Sequence, residues 1–129
     1  MKTAVFSLII CFIALTAPAQ SHTEAPSYIS PDMGIAYRLI PTHYISAFIK
    51  LDTRNGQLWQ LQWGTDKKKS LQPLSLQSLV PAGQEKNGRF FLYPTADAYT
   101  FILADQLDGR TWQVTWSEKA EKRGISPIP

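Results

Sequence analysis

The chain is written twice. Displaced by 53 residues, 37–64 aligns with 90–117 without a gap, and ten of the 28 paired positions are identical. They are Leu39/Leu92, Pro41/Pro94, Thr42/Thr95, Phe48/Phe101, Ile49/Ile102, Asp52/Asp105, Gly56/Gly109, Trp59/Trp112, Gln60/Gln113 and Trp63/Trp116. With one further residue allowed, 70–74 also matches 124–128. A duplication of this kind dictates that both copies take the same local structure. It also dictates that they solve the burial problem together, because one copy is too short to do so alone.

Each copy reads as strands. Asn55-Gly56 and Asp108-Gly109 are dipeptides that reach positive φ in hairpin turns. Residues 47–53 and 100–106 precede the turns, and 57–63 and 110–116 follow them. In the following arms Trp59, Leu61 and Trp63 alternate with Leu58, Gln60 and Gln62, and Trp112, Val114 and Trp116 with Thr111, Gln113 and Thr115. A period of two with large aromatics on one face marks a half-buried strand. A further strand at 36–40 and 89–93 ends at Pro-Thr, where proline removes a ladder donor. The segments near 71–74 and 125–128 offer a fourth strand, set against Pro73 and Pro127. The expected fold is all-β: a pseudo-twofold sandwich or small barrel of six to eight antiparallel strands, with both Trp-x-Leu/Val-x-Trp faces inward. Phe48, Trp59, Trp63, Phe101, Trp112 and Trp116 are its expected core.

The N-terminus stands apart from the duplication. Lys2 precedes an apolar run from Ala4 to Leu15, and Ala17-Pro18-Ala19 supplies small residues for cleavage. That is the layout of a secretory signal peptide over 1–19, too short for a stable membrane span. Cys11 follows Ile10, where a lipobox wants a small residue, so it reads as part of the apolar region and not as a lipid anchor. Residues 20–35, rich in Ser and Pro, read as a flexible arm, and 36–129 as one domain: repeat one at 36–75, a linker at 76–88, repeat two at 89–129. With Cys11 removed no cysteine is left, since the chain has only that one. Export without disulfides fits a bacterial periplasm or exterior.

Charge narrows the partners. The 13 Lys and Arg stand against 10 Asp and Glu, near balance, and the one basic cluster, Lys67-Lys68-Lys69, has no interleaved aromatics. That reads as a solvated loop and not as a nucleic-acid surface. His22 and His43 are isolated, with no metal-ligand spacing, so no metal or other cofactor is expected. No nucleophile motif occurs. Asp52 and Asp105 each stand four residues before a turn glycine (Gly56, Gly109), where a carboxylate accepts backbone N–H bonds and holds the turn. The tryptophans read as core before they read as a ligand platform. That leaves Gln60, Gln62, Gln113 and Thr115 as a polar face open to a partner, with Arg54 and Tyr44 added because they differ between the copies.

The pattern Leu39-x-Pro41-Thr42, Phe48-Ile49-x-x-Asp52, Asn55-Gly56-x-x-Trp59-Gln60-x-x-Trp63, and its echo from Leu92 to Trp116, resembles small exported proteins of Bacteroidota-type bacteria whose activity is uncharacterised. The resemblance implies an envelope or secreted location and brings no catalytic residue with it. The expected function is a non-enzymatic binding or interaction module with a protein or glycan partner. The alternatives are a glycan- or peptide-directed hydrolase using Asp52, Asp105 or His43, and a structural subunit assembling through a sheet edge.

Overall fold

The structure is a computed structural model that describes residues 33–64 and 69–129. The expected signal peptide, Cys11, most of the arm and Lys67-Lys68 lie outside those residues. Strands β1 (Tyr37–Pro41), β2 (Ala47–Asp52), β3 (Leu58–Gln62) and β4 (Ser70–Ser75) form one antiparallel sheet in sequential order. Strands β5 (Phe90–Pro94), β6 (Thr100–Asp105), β7 (Thr111–Thr115) and β8 (Gly124–Ile128) form a second with the same order. Each copy makes its own sheet. The chain is therefore an all-β protein of eight antiparallel strands in two packed sheets, not a closed barrel. Pro73 and Pro127 do not prevent the fourth strands, because β4 and β8 lie on sheet edges where one side of the backbone has no neighbouring strand.

Register fixes which side chains share a face. Lys50 lies opposite Trp59, Ile49 opposite Gln60, and Leu51 opposite Leu58. In the second sheet Leu103 lies opposite Trp112 and Ile102 opposite Gln113. The core between the sheets takes Ile40, Ala47, Ile49, Leu51 and Leu58 from the first and Phe90, Leu92, Phe101, Leu103, Trp112, Val114 and Trp116 from the second, with Leu74 and Val80 beside them. These two sets are not equivalent in the duplication. The second sheet buries its tryptophan face; the first buries the opposite one. Strand β2 approaches β5 and β4 approaches β8, so strand order runs the same way through both sheets. The copies are stacked head to tail.

Three expected core residues are thereby corrected. Phe48 and Trp59 are only half-buried and Trp63 is 50% exposed, whereas Trp116 is 1% exposed. The reason lies in the residues between the repeated ones. Lys50 occupies the centre of the first tryptophan face where the second has Leu103, and a buried amine without a charged partner is costly. The other face of the first sheet carries Ile49, Leu51 and Leu58 where the second carries Ile102, Ala104 and Thr111, so it has more apolar surface to hide.

The linker ties the first hairpin to the second sheet. Leu79 donates its N–H to the Asn55 carbonyl (2.8 Å) and Phe90 donates to the Thr53 carbonyl (2.8 Å). Gly88 N–H donates to Thr53 Oγ1 at 3.0 Å. The hairpin connections are longer than a two-residue turn: Gly56 N–H donates to the Asp52 carbonyl and Gly109 N–H to the Asp105 carbonyl, with φ of +80° and +79°. The two glycines differ in what surrounds them. A Cβ on Gly56 would meet Leu79 Cδ1 at 2.8 Å and Phe90 at 3.2 Å; at Gly109 it would meet nothing within 4 Å. Gly109→Ala should therefore cost only the left-handed strain, about 1–2 kcal/mol. Gly56→Ala should cost distinctly more, because Leu79 must also move. Urea unfolding of the two variants tests the ordering.

Candidate functional site

The repeated Pro-Thr dipeptides build two identical loop frames at one end of the sandwich. Thr42 Oγ1 donates to the Ala47 carbonyl (2.9 Å) and accepts the Tyr44 N–H (3.1 Å). Thr95 Oγ1 donates to the Thr100 carbonyl (2.7 Å) and accepts the Asp97 N–H (3.1 Å). A threonine that closes its own loop in this way leaves the intervening side chains free to vary. They do vary: Tyr44 corresponds to Asp97, and Ser46 to Tyr99.

Because the sheets stack head to tail, the first loop leans over the end of β7. The Tyr44 ring meets Trp116 edge-on (centroids 5.4 Å, 84°), and the Tyr99 ring lies 5.5 Å from the same indole. The two tyrosine hydroxyls are hydrogen-bonded to each other. That bond, and then partial burial, push the Tyr99 hydroxyl above its ordinary pKa. Trp116 is anchored beneath them, its Nε1–H donating to the Ala98 carbonyl at 3.0 Å.

These rings form one wall of an open cleft of about 520 Å³. Thr115 and Ser117 supply hydroxyls, and Glu118, Lys119 and Lys122 supply charge. The far rim is fixed by Arg123, which donates to the carbonyls of Ser117 (2.7 Å) and Glu118 (3.0 Å). Exposed aromatic faces beside hydroxyls and ammonium groups suit a polar ligand with apolar C–H faces and some negative charge.

Of the six binding candidates, the structure brings together two, Tyr44 and Thr115. Gln60 is corrected: it is 1% exposed in the core, and among the described residues neither amide atom has a hydrogen-bond partner. It was expected outside because the burial of the first sheet is the reverse of that assumed. Gln62 shares that inner face, half-buried, while Gln113 is exposed on the far side of the molecule, so the glutamines form no common surface. Arg54 is engaged elsewhere, donating to Asp52 through Nε (2.9 Å) and Nη2 (2.7 Å) and to the Tyr37 hydroxyl (2.8 Å). Tyr99, Lys119 and Lys122 were not anticipated. Tyr99 was findable, since it sits in the loop equivalent to that of Tyr44.

Both repeated aspartates are occupied within their own turns. Asp52 Oδ1 accepts the Arg54 N–H, and Asp105 Oδ1 accepts the Leu107 N–H, each at 3.0 Å. Arg89 grips Asp105 through Nε (3.0 Å) and Nη2 (2.8 Å). Burial alone would push the Asp105 carboxyl up; hydrogen bonds from Arg89 and the Leu107 N–H outweigh it and hold the carboxyl below its ordinary range. A general acid needs the opposite shift. Among the described residues no group of three or more His, Cys, Asp or Glu is placed to hold a metal ion, and no helix is long and apolar enough to cross a membrane. No protein-family model, curated protein or solved structure matches the chain.

The Asp105–Arg89 pair has side chains 0% and 9% exposed, so removing Asp105 leaves the buried guanidinium with only the more distant Asp108 carboxylate, at 3.6 Å. Asp105→Asn should destabilise the fold by about 3 kcal/mol near neutral pH. Because the folded pKa is depressed, this stabilisation is complete above the ordinary value of 3.8 and is lost as pH falls through the folded value. The gap between wild type and variant in urea unfolding should therefore shrink when the measurement is moved from about pH 7 to about pH 3.

Proposed function

We propose that this chain is an exported binding module of the bacterial envelope or exterior, and that it holds an acidic glycan in the Tyr44–Tyr99–Trp116 cleft without acting on it chemically. One observation carries this reading. Side chains that differ between the copies, Tyr44 and Tyr99, converge from equivalent loops onto one indole and open a cleft with hydroxyl and lysine groups on its rim. Sugar rings present C–H faces to aromatics and hydroxyls to Thr and Ser, and Lys119 and Lys122 favour carboxylate or sulfate substituents. Export is inferred from the signal-like 1–19 segment and from the resemblance to small Bacteroidota-type exported proteins.

The test is titration with a panel of neutral and acidic oligosaccharides, read by calorimetry and tryptophan fluorescence. Acidic members should bind and shift the Trp116 emission. Tyr44→Ala should weaken binding about tenfold or more, a loss typical of a central aromatic anchor. Lys119→Gln with Lys122→Gln should abolish the preference for acidic over neutral members. No binding across the panel, or binding indifferent to Tyr44→Ala in a variant that melts like wild type, would sink the proposal.

A further inference from the structure

The two outer faces of the sandwich are the repeat counterparts of the faces that pack against each other inside it. The outer face of the first sheet bears Leu39, Phe48, Trp59, Leu61 and Trp63, equivalent to Leu92, Phe101, Trp112, Val114 and Trp116 of the core. Leu39 and Trp63 are each 50% exposed. The outer face of the second sheet bears Tyr93, Ile102, Ala104, Thr111 and Gln113, equivalent to Ile40, Ile49, Leu51, Leu58 and Gln60. An interface between unlike faces leaves one half of itself on each side of the molecule. We infer that this chain assembles head to tail with further copies of itself, the first sheet of one chain packing on the second sheet of the next, and that the assembly closes into a ring.

Details of the internal junction reappear, unjoined, at the two ends. Inside the chain Phe90 N–H donates to the Thr53 carbonyl; the equivalent pair is Tyr37 N–H and the Gln106 carbonyl, which only a second chain brings together. Phe90 and Leu79 cover Gly56, whereas Gly109 faces open space that the Tyr37 ring of a neighbour would cover. Tyr44 rests on Trp116; its equivalent, Asp97, would come to the Trp63 of the next chain. The cleft beside Trp63 is lined by Lys69, so an acid would meet a base there. Gln113 would occupy in the new interface the place that Gln60 holds in the internal one. Lys50 brings a charge to the centre of the first sheet's outer face, its ammonium 4.7 Å from the Tyr37 ring and 5.1 Å from the Trp59 ring, contacts that lower the cost of covering it.

Repeating one head-to-tail operation gives a closed ring or an open filament. Four-stranded sheets stacked this way close radially at about four to eight sheets, that is, with two, three or four of these chains. Light scattering, sedimentation velocity and native mass spectrometry on the protein as the expressing bacterium releases it should find one discrete species of that mass. Dilution to single chains should red-shift the tryptophan emission as Trp63 and Trp59 are uncovered. Leu61→Asp on one outer face, or Ile102→Asp on the other, should each yield a folded single chain by circular dichroism. Lys50→Leu should tighten association about tenfold. A wild-type mass of one chain at the highest soluble concentration overturns the inference, whether or not another protein then covers the faces. So does an oligomer that survives both aspartate substitutions, or an open ladder of masses. Glycan binding is read separately, so neither proposal falls with the other.

Discussion

Everything in this structure depends on one interface between two sheets that cannot exist apart. A four-stranded sheet has an apolar face and nothing of its own to cover it. The duplication supplies a second such sheet, and the two copies cover each other by presenting different faces. That choice has consequences along the whole chain. It puts the first hairpin turn under the linker, where Thr53 and Asn55 accept bonds from Phe90 and Leu79. It buries Gln60 with an unpartnered amide, at a cost of about 1–3 kcal/mol that the surrounding aliphatic and aromatic burial must exceed.

The same choice makes the cleft. Were like faces packed together, the two Pro-Thr loops would not stand in the same relation to Trp116. Stacked head to tail, the first loop overhangs the end of the second sheet, and Tyr44 can reach an indole that belongs to the other copy. The frame of each loop is the repeated threonine; the chemistry is what lies between. The acid–arginine pairs follow this logic too. The repeated aspartate takes its arginine from the turn itself in the first copy, and in the second from Arg89 just ahead of β5 as well as from Arg110 beside the turn.

Much of the fold was legible because period-two alternation and turn dipeptides are local signals. They gave the strands, their antiparallel order and the equivalence of the two sheets. Which face is buried is not local, and here the repeated residues misled. The Trp-x-Leu/Val-x-Trp stripe looks alike in both copies, so it suggested like environments. The deciding residues were the unrepeated ones: Lys50 against Leu103, Leu51 against Ala104, Leu58 against Thr111. Of the cleft, Tyr44 was visible as a point of difference between copies. Its meeting with Tyr99 was not, because that depends on how far one sheet is displaced along the other.

Within a single chain the duplication contains a contradiction. Trp63 and Trp116 are the same residue in the same register, yet one is 50% exposed and the other 1%. Gln60 and Gln113 are likewise identical, one enclosed and one facing water. A large indole on an open sheet face gains little there and invites unselective association. If a second chain stands where the first chain's own sheet stands inside, both members of each pair have one environment, and their identity needs no separate reason. Lys50 then differs from Leu103 for a physical cause as well. A junction between chains must also be able to remain open in water, and an amine held against two rings keeps that face soluble until it is covered.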